Sequence, residues 1–266
     1  MTAPVQSHPP LRHAALAAAG IARRNLRTAL TTPSLLLPPL IAPLVFFAAF
    51  CGGLSVLADA PGFQFTPGYV AFEFVFVVVQ GAVFTGIFSG LTLARDFESG
   101  MARRALVAVA DRRAIVGGYV LTALGRAPVT AAALYLAGLA AGMPAGGVID
   151  MLVLFAVTEL LAAIGALWAS GIALRIRSVQ GAPMMQMPAF LGLYLAPAFV
   201  PLGLLTGWLH GAAAVNPFSL YLESGRGLVA GHPVRTAETL AVSAVLIALL
   251  TLWALRGLRR ATAQAS

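Results

Sequence analysis

A chain of 266 residues that is 59% hydrophobic and only 10% charged, with a mean hydropathy of +0.89, is too apolar for an ordinary soluble domain. Its formal charge of +8 comes from 17 arginines against nine acids, with no lysine anywhere, which excludes a standard P-loop nucleotide site, whose lysine must reach the terminal phosphates. The single cysteine, Cys51, excludes an internal disulfide or a thiolate metal cluster, and His8, His13, His210 and His232 have no ligand spacing.

Crossing a hydrocarbon layer of roughly 30 Å takes about 20 apolar helical residues, and inside the layer every backbone group must pair within its own helix. Met1 to Pro10 is short, contains prolines and is expected to be disordered. Leu11 to Leu30 places Leu11, Ala15, Ala18, Ala22 and Leu26 on one helical stripe with Arg12, Arg23 and Arg27 beside it. That pattern predicts an interfacial amphipathic helix lying along the inner leaflet. Six apolar runs follow, Ser34–Leu57, Tyr69–Ala94, Ala114–Ala141, Asp150–Leu174, Ala182–Gly207 and Ala237–Leu255, each expected to cross as a helix. The first carries Pro38, Pro39 and Pro43 and is followed by five more, unlike a cleaved leader; Cys51 within it is expected to be a small buried hydrophobe. Residues 210–236, ahead of the last run, are moderately apolar but broken by Pro217, Gly225, Gly227, Gly231 and Pro233. They are expected as short helices dipping into the outer leaflet.

The arginines sort by side. Arg12, Arg23, Arg24 and Arg27, the group from Arg95 to Arg113, Arg175 and Arg177, and Arg256, Arg259 and Arg260 all fall on one face, against Arg226 and Arg235 on the other. This positive-inside asymmetry puts both termini in the cytoplasm and accounts for the basic balance without nucleic acid. The expectation is an all-α integral membrane protein of the plasma (inner) membrane. It has a cytoplasmic tail and interfacial helix over 1–33, a six-helix transmembrane domain over 34–255 and a cytoplasmic tail over 256–266.

Seven charged side chains crowd between Asp96 and Arg113, in a loop, 95–113, on the inner side. Gly100 can end the preceding helix, and Met101 to Val109 has helix formers for about two turns. Arg103 and Arg104 beside Met101, Leu106 and Val107 make a short amphipathic helix suited to a groove on a soluble partner; the alternative is a solvated loop whose arginines only enforce topology. The segment Asp96, Glu98, Ser99, Gly100 resembles the cytoplasmic loop of type-2 ATP-binding cassette (ABC) export permeases. Phe97 stands where arginine is usual, Met101 replaces threonine, and Ala108-Val109 stands where Thr-Pro often falls. A second stretch, Asn216-Pro217-Phe218-Ser219-Leu220-Tyr221-Leu222-Glu223 with Arg226-Gly227-Leu228, is similar to that family's outer-leaflet helices. In order and spacing the whole chain is similar to daunorubicin-resistance-type permeases.

The resemblance implies a coupling helix in which Asp96, Glu98, Ser99, Gly100, Met101, Arg103, Arg104, Leu106 and Val107 contact a separate ATPase subunit. That subunit would bind ATP and Mg; no cofactor is expected on this chain. It further implies a second permease copy or paralogue meeting the first, second and fifth spans, and an outer gate built from Glu73, Asn216, Pro217, Tyr221, Glu223 and Arg226. The cargo would be a hydrophobic or amphipathic small molecule, such as a drug, antibiotic or lipid.

Counting residues from the ends of the spans puts Arg126 and Glu159 at similar depth, which predicts an intramembrane pair, structural or lining a substrate path. Glu73 is expected to pair with Arg226 or to meet substrate. Phe72, Phe74, Phe76, Phe84 and Phe88 with Met184, Met185 and Met187 offer an adaptable apolar surface or face lipid and neighbouring helices. No buried serine has a histidine on a nearby span, so no catalytic residue is assigned and an enzyme is not expected. Two other classes stay open: a proton-coupled secondary transporter using Glu73 or Glu159, although the paired repeats such transporters carry are not seen, and a non-transporting membrane assembly protein.

Overall fold

The computed structural model describes residues 10–32 and 38–263. The expected disorder of the N-terminus and the first residues of the first expected span therefore lie outside the described residues. Among the described residues ten α-helices follow in order: α1 (Pro10–Thr31), α2 (Pro38–Gly53), α3 (Tyr69–Glu98), α4 (Met101–Ala108), α5 (Arg113–Ala140), α6 (Val148–Ile176), α7 (Ala182–Tyr194), α8 (Gly207–Val215), α9 (Pro217–Val229) and α10 (Thr236–Ala263). Among the described residues there is no strand. Four helices, α3, α5, α6 and α10, are long and apolar enough to cross a membrane.

Within the described residues the helices of the other two expected spans are shorter. The 16 residues of α2 reach about 24 Å and the 13 of α7 about 20 Å, less than the roughly 30 Å of a hydrocarbon core. The fifth expected span, drawn to Gly207, breaks after Tyr194 into turns, a 3-10 stretch at Leu202–Leu204 and then α8. Pro197 and Pro201 account for the break, because proline has no N–H to donate and pushes the residue before it out of the helical region. The outer segment accordingly begins earlier than the expected 210, at Gly207.

The centre of the bundle is α3, whose Phe72, Phe74, Phe76 and Ile87 are all fully buried. It lies against α6 almost backbone to backbone. A Cβ added at Gly86 would stand 2.2 Å from the Ala162 carbonyl oxygen, one at Gly90 2.4 Å from the Ala169 Cβ, and one at Gly165 2.6 Å from the Val83 carbonyl oxygen. Small residues four apart let helices approach this closely in an apolar medium, where dispersion and not water exclusion holds them together. On the far side of α6, α10 packs with Trp253 stacked on Trp168 at 6.0 Å and over Gly171.

Helix α1 buries Ala18, Ala22, Asn25 and Ala29, while Ala15 of the expected stripe is exposed. It runs along α5, where Gly118 receives Ile21, Gly125 receives Leu26 and the Asn25 amide donates to Thr122 at 3.3 Å. The glycines of α5 make room for Ile21 and Leu26, so the packed face keeps Ala18, Ala22 and Leu26 of the expected stripe.

Candidate functional site

Polar side chains gather at two ends of this bundle. At the end that carries residues 95–113, expected to be the inner one, Gly100 adopts φ 75°, a left-handed conformation that glycine takes without strain, and reverses the chain between α3 and α4. Ala102 and Leu106, one turn apart, are buried against the bundle and fix α4 to it. The opposite face is open: Arg103 and Arg104 are exposed, Met101 is 37% exposed and Val107 81%. Arg112 returns its Nε to the Leu106 carbonyl at 3.1 Å and so caps the short helix.

The expected contact set thus divides. Met101, Arg103, Arg104 and Val107 face outward with Ser99, whose hydroxyl donates to the Asp96 carbonyl at 3.3 Å. Leu106 faces the core. Asp96 turns inward, paired with Arg24 of α1 and accepting the Tyr119 hydroxyl. Glu98 accepts the Ser178 hydroxyl at 2.7 Å and the Val179 N–H at 2.9 Å, which joins the end of α3 to the turn between α6 and α7. That turn is itself held: Arg177, at φ 57°, lies 5.9 Å from the Phe97 ring centroid. Arg175 stacks 3.5 Å over Trp253 and donates to the Trp253 carbonyl at 3.0 Å. Arg24, Tyr119 and Ser178 are not among the expected site residues; the sequence shows only the basic character of Arg24, which counts toward the positive-inside asymmetry.

The expected Arg126–Glu159 pair does not form. The ion pairs among the described residues are Arg24–Asp96, Arg235–Glu223 and Arg235–Glu238. Tyr135 of α5 meets Phe155 of α6 at 5.8 Å, so in this antiparallel pair Arg126 is level with Ile164, and Glu159 lies about five residues, roughly 7 Å, further out. Arg126, 6% exposed, instead faces a polar cleft of about 210 Å³ at the inner end, lined by residues of α1, α3 and α5.

At the outer end Arg226 is buried, and its two terminal nitrogens donate to the Pro197 and Ala198 carbonyls, each at 2.7 Å. Its guanidinium lies 3.3 Å over the Phe72 ring. These carbonyls belong to the broken stretch after α7 and have no helix to pair with, so the arginine supplies the donors that a buried non-helical segment requires. Glu73 is fully buried and accepts the Tyr69 hydroxyl at 3.0 Å; it makes no ion pair with Arg226 within 4 Å, because the guanidinium is already turned to the two carbonyls. Glu223 and Glu238 both bind Arg235, at 2.5 and 2.9 Å, and their hydrogen bonds, that of Glu238 first, hold the Arg235 pKa up. Asn216 caps α9 by accepting the Phe218 N–H at 3.0 Å and reaches the Gly192 carbonyl at 2.6 Å. Pro217 opens α9, and Tyr221 bonds Ser243 of α10 at 2.6 Å. A cleft of about 470 Å³ beside them is lined by Phe65, Phe72, Pro201, Glu223, Arg226 and His232.

Between the two ends, α2, α3 and α7 enclose an apolar cleft of about 190 Å³ with Phe46, Phe84, Phe88 and Phe190 around Gln80. The aromatic set of α3 therefore faces other helices, with Phe72, Phe74, Phe76 and Phe84 buried. Of the methionines, Met185 is buried while Met184 and Met187 are exposed. Among the described residues no three of His, Cys, Asp and Glu converge to hold a metal ion.

No protein-family model matches the chain, and no curated protein matches it.

Proposed function

We propose that this chain is the membrane-spanning permease subunit of an ABC exporter of the type-2 class, moving a hydrophobic or amphipathic small molecule out of the cell. The observation that carries the reading is α4: a short helix tethered to the bundle by Ala102 and Leu106, with Met101, Arg103, Arg104 and Val107 exposed on its free face. Two arginines beside two apolar groups suit a groove on a soluble protein. The chain has no lysine, so the ATPase with its ATP and Mg is assigned to a separate subunit that docks there. In this reading α2 and α7 complete a six-span arrangement with both termini in the cytoplasm of the plasma (inner) membrane. A second copy or a paralogue meets the face that carries the cleft of Phe46, Phe84 and Phe190, and the apolar lining of that cleft favours a lipophilic cargo. Allosteric drive needs two sites and two states; the α4 face would be one site and the intersubunit cavity the other.

The test is co-purification. Expressed with a candidate ABC ATPase subunit from the same genome, the wild type retains that ATPase through affinity purification, and the double variant Arg103→Glu, Arg104→Glu loses it while keeping its helix content and melting temperature. Retention by the double variant overturns the reading.

Buried Glu73, one of whose carboxylate oxygens has no hydrogen bond, favours a proton-coupled secondary transporter as the second reading. It predicts uptake into proteoliposomes driven by a pH gradient with no nucleotide present, abolished by Glu73→Gln.

A further inference from the structure

The cleft enclosed by α2, α3 and α7 has one polar defect. Gln80 lies about 16 Å along α3 from its first residue, near the middle of a helix long and apolar enough to cross a membrane, and is 1% exposed. Its Nε2 donates to the Tyr194 hydroxyl at 3.5 Å, whereas its Oε1 is buried with no hydrogen-bond partner. A buried carbonyl oxygen left bare costs free energy, and nearly all such atoms in folded proteins find a donor. Gln80 also lines the cleft, so the missing donor can arrive through that space.

The rest of the lining says what carries the donor. Phe84 and Phe190 meet at 4.5 Å between ring centroids. Phe46, Phe88 and Phe190 are only half-buried, so ring surface stays open to a flat apolar group. Gln186 is the other polar side chain in the lining, which contains no charged one. Glu73, about 10 Å further along α3, lies outside it. An ion entering here would shed its water and meet no opposite charge, whereas a neutral hydroxyl loses far less and gains the bond to Oε1. The cleft holds about 190 Å³, below the roughly 300–1,000 Å³ of pockets that enclose a whole drug-sized ligand, so it takes one end of a longer molecule.

We infer that this cleft binds the hydroxylated, ring-bearing end of an uncharged amphipath, with the hydroxyl donating to Gln80 Oε1 and the ring against the phenylalanines. As a binding site the cleft stands without any ATPase; as a statement of the cargo's class it rests on the export reading.

The test is equilibrium dialysis of three probes against the purified full-length protein in phosphatidylcholine nanodiscs, with empty nanodiscs as the blank. The probes are 2-naphthol, which donates, 2-methoxynaphthalene, which only accepts, and 2-naphthylmethylammonium, which is charged. One hydrogen bond to a bare buried oxygen makes 2-naphthol bind about tenfold tighter than 2-methoxynaphthalene. Gln80→Leu removes the oxygen and brings that ratio to about one; Phe190→Ala weakens both probes alike and keeps the ratio. Should Gln80→Leu fail to fold, the wild-type ratio and Phe190→Ala still decide. A wild-type ratio near one, as when a water alone satisfies Oε1, overturns the site, and so does a tenfold ratio that survives Gln80→Leu or binding untouched by Phe190→Ala. An ammonium probe that binds as tightly as 2-naphthol overturns the uncharged class. No nucleotide or ATPase is present, so failure here leaves the docking of α4 standing, and loss of that docking leaves this site standing.

Discussion

At the inner end, charged side chains hold surface segments to one another: Glu98 to the turn at Ser178, Asp96 to α1, Arg175 to α10. At the outer end a single buried guanidinium, Arg226, holds backbone, the two carbonyls left bare where α7 stops. The inner contacts are exposed or half-buried and several share the work, so each contributes little alone. The outer contact is desolvated and has no substitute among the described residues, so its loss leaves two buried acceptors unsatisfied.

The comparison can be broken, or sharpened, by substitution. The control that should exceed both ends is Gly86→Leu, whose side chain would meet the backbone of Ala162 and Ala166. It forces α3 and α6 apart at a cost above about 3 kcal/mol, read as loss of the monodisperse peak in size-exclusion chromatography. Arg226→Met keeps the stem and the contact with Phe72 but leaves the two carbonyls bare, at about 1–3 kcal/mol each, read as a lower melting temperature and protease cleavage between residues 195 and 201. A melting temperature equal to that of wild type would show that the outer clasp is dispensable. At the inner end, Glu98→Ala frees the Val179 N–H, so the amide exchanges faster while helix content is unchanged. Smallest of all, Arg235→Gln releases Glu223 and Glu238 on an exposed surface and costs less than about 1 kcal/mol, read as a melting-temperature shift that vanishes in high salt.

The long elements were legible because hydropathy and length determine them. Tyr69 was placed as the first residue of α3, and the expected starts of α5, α6 and α10 fall within two residues of Arg113, Val148 and Thr236. The short helix expected over Met101 to Val109 ends at Ala108. What failed was anything that depends on side-chain direction or on a break within an apolar run. Counting from the ends of the spans puts Arg126 and Glu159 level, but the contact of Tyr135 with Phe155 sets them about five residues apart along the axis. The fifth run read as continuous because Leu, Ala and Phe around Pro197 and Pro201 keep hydropathy high through a segment that proline unwinds. Ser178 gave no signal, since its role is defined by a partner 80 residues earlier in the chain.

The grip of Glu98 has a mechanical consequence. Because it joins the foot of α3 to the turn leading into α7, it links those two feet directly, so that tilting one loads the other through the Glu98 carboxylate. Above this link the two shafts differ: α3 is an unbroken rod of 30 residues, whereas α7 ends after 13. In the proposed export cycle, a stroke delivered at α4 would pass along α3 and be taken up along α7 at the joint that Arg226 clasps.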